Sequence, residues 1–211
     1  GRLATDYCPP TWTAARRKGP IRFVEFQSGE HALVRHQGAG HSQQSSPMNR
    51  RLGLAVIGVG MAAKPHALAL NDLRDQIDVR GVYARSTHAA STFCDTYNFP
   101  QANDLEALAS DPSVEAALLI TPPDARADLV SLFADHGKHI LSEKPLERTA
   151  EAAQSIVDTC VKTNVLLGVV FQHRFRAASE ALTKLIAQRT LGEIRMVRAE
   201  VPWWRDQSYY D

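Results

Sequence analysis

The chain is short of cysteine, of long apolar runs and of net charge, and each shortage excludes a class of protein. Its three cysteines, Cys8, Cys94 and Cys160, stand far apart among 211 residues. They form neither a disulfide framework nor a C-x-x-C metal pair, so a reducing cytoplasm is the expected setting. The longest apolar run, Val165 to Phe171, is too short to span a bilayer, and no membrane contact is expected. The formal net charge is only +1. Residues 1–47 hold six Lys and Arg against three Asp and Glu, which leaves 18 against 20 in the remainder. A mildly acidic remainder argues against a nucleic-acid surface. His66 and His88 match no metal-ligand spacing, so no metal is expected.

Residues 1–47 also lack sustained periodicity and the apolar core of a secretory signal. They are rich in Gly, Ser, Gln, His and Pro and carry a basic run at Arg16-Arg17-Lys18. Only Ile21 to Phe26 has strand character, and it has no evident partner. An arginine-bearing targeting peptide fits poorly with Asp6, Glu25, Glu30 and the prolines. Disorder or a non-native extension is the expectation, with Met48 as a sensible beginning.

What is present is organised around Leu52 to His66, L-G-L-A-V-I-G-V-G-M-A-A-K-P-H. Leu52 to Ile57 is short, apolar and β-branched, as a strand buried on both faces should be. Gly58-Val59-Gly60 breaks it, and Met61-Ala62-Ala63 opens an alanine-rich helix running to about Arg74. The pattern is G-x-G-x-x-A. Gly58 allows a tight turn, Gly60 lets backbone N–H groups approach a diphosphate, and Ala63 lets helix and strand pack closely. The start of such a helix favours an anion at the N–H groups of Met61 and Ala62.

The segments then alternate. Strands are expected at Asp78 to Tyr83, Ala116 to Ile120, His139 to Ser142 and Leu166 to Val170. Helices are expected from the cap Ser86 to about Tyr97, over Asp104 to Ala109, over Asp124 to His136, and from the cap Thr149 to about Thr163. Alternation of this kind predicts an α/β fold, a doubly wound parallel sheet covered by helices on both faces. Ligands then lie beyond the carboxyl ends of the strands. The loops that matter are Gly58–Gly60, Ala84–Ser86, Thr121–Pro123, Glu143–Pro145 and Phe171–Arg174.

Those loops carry the candidate residues. NAD-preferring folds place an acidic side chain after the second strand, but here the residues are Ala84-Arg85-Ser86, and Asp78 lies at the strand's wrong end. Arg85 and Ser86 can meet a 2′-phosphate, which favours NADP; a solvated Arg85 and a merely capping Ser86 are the alternative. Pro145 cannot continue a strand and restricts Lys144 to an extended turn. A lysine held there can hydrogen-bond a substrate hydroxyl, and partial burial would tune it for acid–base chemistry. Glu143 can orient it or contact the nicotinamide ribose. Thr121-Pro122-Pro123 makes a rigid wall beside a ribose. His173 and Arg174 can reach the same cleft, and Trp203-Trp204 can stack on a sugar, although structural roles are equally open to all four.

Beyond that sheet, a helix is expected from Ala178 to Gln188, followed by a strand over Ile194 to Val201. The strand has no packing partner before Asp211, so it is read as the opening of a second, truncated domain.

Together these residues resemble the Gfo/Idh/MocA family of oxidoreductases. The matching stretches are Val56-Ile57-Gly58-Val59-Gly60, Thr121-Pro122-Pro123, Gly137-Lys138-His139-Ile140 running into Ser142-Glu143-Lys144-Pro145, Val170 to Phe175, and Leu191-Gly192-Glu193-Ile194. The resemblance covers roughly Arg51 to Asp211. It implies a Rossmann domain over 48–171, the start of a substrate and oligomerisation domain over 172–211, and a homo-oligomer at full length. It further implies NAD(P)-dependent hydride transfer at a hydroxyl-bearing carbon of a sugar, cyclitol or related small molecule. Lys144 falls on the family's catalytic lysine. Gly58, Gly60, Met61, Ala62, Arg85, Ser86, Thr121, Pro122, Glu143 and Lys144 fall in the cofactor site, and His173, Arg174 and Trp204 near the substrate.

Two departures accompany the match. Arg126 stands where many members have a histidine, and the family's further acid–base groups come from a D-x-x-x-H stretch beyond residue 211. The chain alone is therefore expected to bind cofactor weakly and to be inactive. A non-catalytic dinucleotide-binding redox sensor is the rival reading, and an S-adenosylmethionine methyltransferase would leave Lys144 without a role.

Overall fold

The computed structural model describes residues 50–209. The expectations for residues 1–47, including the strand at Ile21 to Phe26 and the start at Met48, lie outside the described residues. Those described fall into two units, residues 50–172 and residues 173–209.

The larger unit alternates as expected. It runs β1 (Leu52–Ile57), α1 (Ala63–Asp72), β2 (Ile77–Tyr83), α2 (Thr87–Tyr97), α3 (Leu105–Ser110), β3 (Ala116–Leu119), α4 (Arg126–Asp135), β4 (His139–Glu143), α5 (Ala150–Lys162) and β5 (Leu167–Val170). All four strand pairings are parallel, in the order β2-β1-β3-β4-β5. The chain steps outward from β1 to β2, then crosses back over β1 to β3. The order reverses between β1 and β3, which makes the gap beyond their carboxyl ends the natural ligand crevice of this Rossmann-type sheet.

The strands are apolar because both faces are covered. One face packs Ala55, Ile57, Ala117, Leu119 and Ile140 against Val130 and Phe133 of α4 and Ile156 and Cys160 of α5. The other packs Leu54, Val56, Leu118 and Ile120 against Ala63 and Leu70 of α1 and Cys94 of α2. Each large side chain fully removed from water contributes about 1.5–3 kcal/mol, so these two layers hold the sheet together. Burial also pushes the Cys160 thiol up to about 11, so it packs as a neutral hydrophobe.

Local chemistry sets the helix ends. Ser86, Asp104 and Thr149 accept hydrogen bonds from the first-turn N–H groups of Ala89, Ala107 and Ala152. Gly137, at φ +72°, lets the chain leave α4 in the left-handed conformation.

The smaller unit holds α6 (Ala177–Ala187) and short 3-10 turns. The strand expected over Ile194 to Val201 is not formed; that stretch is irregular and exposed. Strand character needs a neighbouring ladder to satisfy its N–H and C=O groups, and no described residue pairs with it. No helix among the described residues is long and apolar enough to cross a membrane.

Candidate active site

The parallel register places the ends of β1, β2, β3 and β4 along one edge of the sheet, with their loops in continuous contact. The Gly58 N–H donates to the Tyr83 carbonyl at the end of β2, at 2.8 Å. On its other side Gly58 lies against Thr121, just beyond β3. A Cβ added at Gly58 would stand 3.0 Å from the Thr121 nitrogen, and its φ is +97°. Both facts demand glycine there.

Gly60 is glycine for a different reason. A Cβ at this position would meet nothing within 4 Å, so no atom of the described residues requires its absence. The helix that follows has no side-chain cap and no acidic residue in its first turn. Met61 and Ala62 are both exposed at its start. An open cradle and an uncapped helix terminus fit the diphosphate of a dinucleotide, whose charge the N–H groups and helix dipole favour. Thr121 Oγ1 is buried beside the same turn and has no hydrogen-bond partner among the described residues. An orphaned hydroxyl of this kind is expected at a ligand crevice.

The loop after β2 presents Arg85 and Ser86, both exposed. The Ser86 hydroxyl accepts from the Ala89 N–H at 3.2 Å, which leaves its own hydrogen free to donate. The loop Ala84-Arg85-Ser86 itself contains no carboxylate. Asp78 lies at the opposite end of β2, paired with Arg51 at 3.4 Å and Arg80 at 3.0 Å.

The turn after β4 is the most tightly held part of the edge. Glu143 is 8% exposed, and both its carboxylate oxygens are engaged. Oε1 lies 2.8 Å from His66 Nε2 on α1, and Oε2 accepts the Lys144 N–H at 3.0 Å. Pro122 and Lys144 are exposed, so the partial burial expected of the lysine is not found in the described chain. The Lys144–Pro145 peptide is cis.

Arg126, at the start of α4, is 2% exposed and reaches across to that turn. Nε and Nη2 donate to the Thr121 carbonyl at 3.1 and 2.7 Å, and Nη1 donates to the carbonyls of Glu143 and Pro145. Burial holds the guanidinium below its ordinary pKa, while Glu143 and Glu147 pull it the other way. Hydrogen bonds from a charged donor are each worth about 1.5–3 kcal/mol, so the loops after β3 and β4 are strongly joined.

His66 and Arg126 are the two residues that sequence reasoning missed. His66 had a legible signal, because it lies on the stripe with the buried Ala63, Ala67 and Leu70, at helical spacing. Arg126 had none beyond its departure from a family pattern. His173, Arg174 and Trp204 belong to the smaller unit and are exposed there. Arg205 lies over the Trp203 ring at 3.6 Å from its centroid. Among the described residues, no three His, Cys, Asp or Glu side chains come together as a metal site requires.

Known proteins share this architecture. A family model for oxidoreductases with an NAD-binding Rossmann fold matches residues 52–171. Human trans-1,2-dihydrobenzene-1,2-diol dehydrogenase is 34% identical over 147 residues, which are 69% of this chain and 44% of that protein. A solved structure from Sinorhizobium meliloti, named provisionally as a myo-inositol dehydrogenase, aligns with a TM-score of 0.63 at 28% identity. That alignment covers 67% of this chain and 43% of the other. The WlbA dehydrogenase of Chromobacterium violaceum, solved with NADH and UDP-GlcNAcA, shares the fold at a TM-score of 0.72 and 24% identity, over 78% of this chain and 48% of its own. The chain thus spans less than half the length of the curated relatives it matches. Because the family model covers more than half of the 211 residues, this chain belongs to the Gfo/Idh/MocA oxidoreductase family through its NAD-binding Rossmann domain.

Proposed function

We propose that the chain forms the cofactor half of an NAD(P)-dependent dehydrogenase, with Lys144 acting on the oxygen of a hydroxyl-bearing carbon. The observation that carries this reading is the placement of an exposed lysine on a rigidly held turn, on the sheet edge that also bears the open Gly60 cradle. When bound, the nicotinamide supplies the hydride acceptor or donor. The protein's part is to bind and align. The N–H groups at Met61 and Ala62 hold the diphosphate, and Thr121 and Pro122 wall the ribose. Glu143, fixed by His66, orients the Lys144 backbone, and the Lys144 ammonium donates to the substrate oxygen as charge develops there, while the hydroxyl proton passes to a separate general base.

The relatives' names support a substrate class. Both a trans-dihydrodiol and an inositol carry neighbouring hydroxyls on a six-membered ring. A cyclic vicinal diol is therefore the proposed substrate. The 211 residues are expected to bind reduced cofactor, read by titration. A form with the length of the relatives is expected to turn over and to lose about a hundredfold or more in kcat on Lys144→Ala, read as nicotinamide absorbance. Turnover indifferent to that substitution would sink the assignment of Lys144.

The same reading makes NADP the preferred cofactor, through Arg85 and Ser86 and the absence of a carboxylate beside them. Arg85→Asp should reverse the preference by about tenfold or more, because a charge-assisted phosphate contact becomes a repulsion. Calorimetric titration of both cofactors checks it. Strong preference of the unmutated chain for NAD would overturn the NADP assignment.

A further inference from the structure

We propose that Arg126 is a positioning residue for Lys144, tying the main chain on both sides of that lysine to the cofactor crevice at Thr121. The proposal rests on the catalytic reading of Lys144 and adds the means by which the lysine is aimed.

Three carbonyls converge on one guanidinium. Those of Glu143 and Pro145 flank Lys144 in sequence, and both accept from Nη1. That of Thr121 accepts from Nε and Nη2. Thr121 in turn lies against Gly58, so a displacement of the glycine turn is felt at the lysine turn through a single side chain. The planar fork of arginine suits this task, since its donors point in fixed directions at separate acceptors. A lysine would place one point charge in the same space. Glu143 and Glu147 bear on the guanidinium electrostatically, but its hydrogen bonds go to main-chain oxygens. That pattern distinguishes a residue that sets backbone geometry from one that merely balances a buried carboxylate. The Glu143 side chain is held separately, by His66, so the turn is gripped from both its backbone and its carboxylate.

The test uses Arg126→Met and Arg126→Lys in the 211-residue chain, with two measurements. Native-state amide exchange, read by mass spectrometry, should quicken by about tenfold or more at Lys144, Leu146 and Glu147 in both variants, while amides of β1 and α1 keep their wild-type rates. Cofactor titration should show NADPH weakened by about tenfold or more, and ADP-ribose, which carries the diphosphate without nicotinamide, held within about twofold. Failure of lysine to rescue is part of the expected result. Wild-type exchange at Lys144 in either variant, or full rescue by lysine, would overturn the proposal. So would uniformly faster exchange with equal loss of both ligands, or loss of the fold in both variants, since either assigns Arg126 to stability alone. If the wild-type chain binds neither ligand, the dehydrogenase reading falls, and the exchange measurement still decides whether Arg126 holds the turn.

Discussion

Gly60→Val is expected to abolish dinucleotide binding and to leave the melting temperature of the chain unchanged. The two halves of that result have separate causes. An added Cβ meets no atom of the described residues within 4 Å, and the backbone at Gly60 lies outside the left-handed region, so a side chain can start there without strain. The space it fills is the space a diphosphate needs to approach the uncapped start of α1. A branched side chain there separates the anion from the N–H groups and forfeits the dipole's attraction. The expected loss is about a hundredfold or more in Kd, equivalent to about 2.7 kcal/mol, read by quenching of intrinsic fluorescence on NADPH titration. Gly58→Val is the informative contrast. It should lower stability as well as binding, because φ is +97° and the backbone of Ile120 and Thr121 stands 3.0–3.1 Å from the added Cβ. Wild-type affinity in Gly60→Val would remove the nucleotide site from this turn.

The largest loss of stability is expected at a glycine far from the cofactor. Gly53, in β1, has the Ser113 carbonyl oxygen only 1.8 Å from where a Cβ would stand, and the Ser113 carbonyl carbon at 2.9 Å. The overlap is with backbone, and that backbone is pinned. The Ser113 N–H donates to Asp111 Oδ1 at 2.7 Å, and hydrogen bonding from the Ser113 side chain first and from this N–H second holds the Asp111 carboxyl below its ordinary pKa. The buried Lys138 ammonium donates to the carbonyls of Asp111 and Val114 at 2.7 and 2.8 Å. The loop from 111 to 114 therefore cannot retreat without breaking charge-assisted bonds. β1 cannot retreat either, because it is hydrogen-bonded to β2 on one side and β3 on the other. Gly53→Ala should cost about 3 kcal/mol or more and lower the midpoint of thermal unfolding by about 10 °C. Gly60→Ala, with open space, serves as the control. A midpoint for Gly53→Ala within about 2 °C of the unmutated chain would show that the loop yields, contrary to its bonding.

Much of the scaffold was settled by short-range pattern. Glycine at positions 58 and 60, small residues after them and β-branched residues before them are enough to specify a strand, a tight turn and a helix start. Ser86 and Thr149 cap the helices their positions announce, because a cap acts on N–H groups two or three residues away. Alternating strands and helices, joined by short loops, leave few arrangements other than a parallel sheet with its loops on one edge. The family motif around Lys144 was legible for the same reason. It is a run of neighbours in sequence.

The tertiary structure decided what depends on distant partners. His66 meets Glu143 across 77 positions in the chain, and nothing adjacent to either residue announces the pairing. Arg126 turns inward to three carbonyls, whereas an arginine at a helix start reads by composition as a solvated cation. Gly53 looks like an ordinary small residue in a strand until the pinned Ser113 carbonyl is placed beside it. Ile194 to Val201 has the composition of a strand yet forms none, because a ladder needs a second strand as well as a suitable first. Composition and periodicity determine which segments form and which edge they offer. Hydrogen-bond direction and close contact between remote segments determine which side chains on that edge are held and which are free to act.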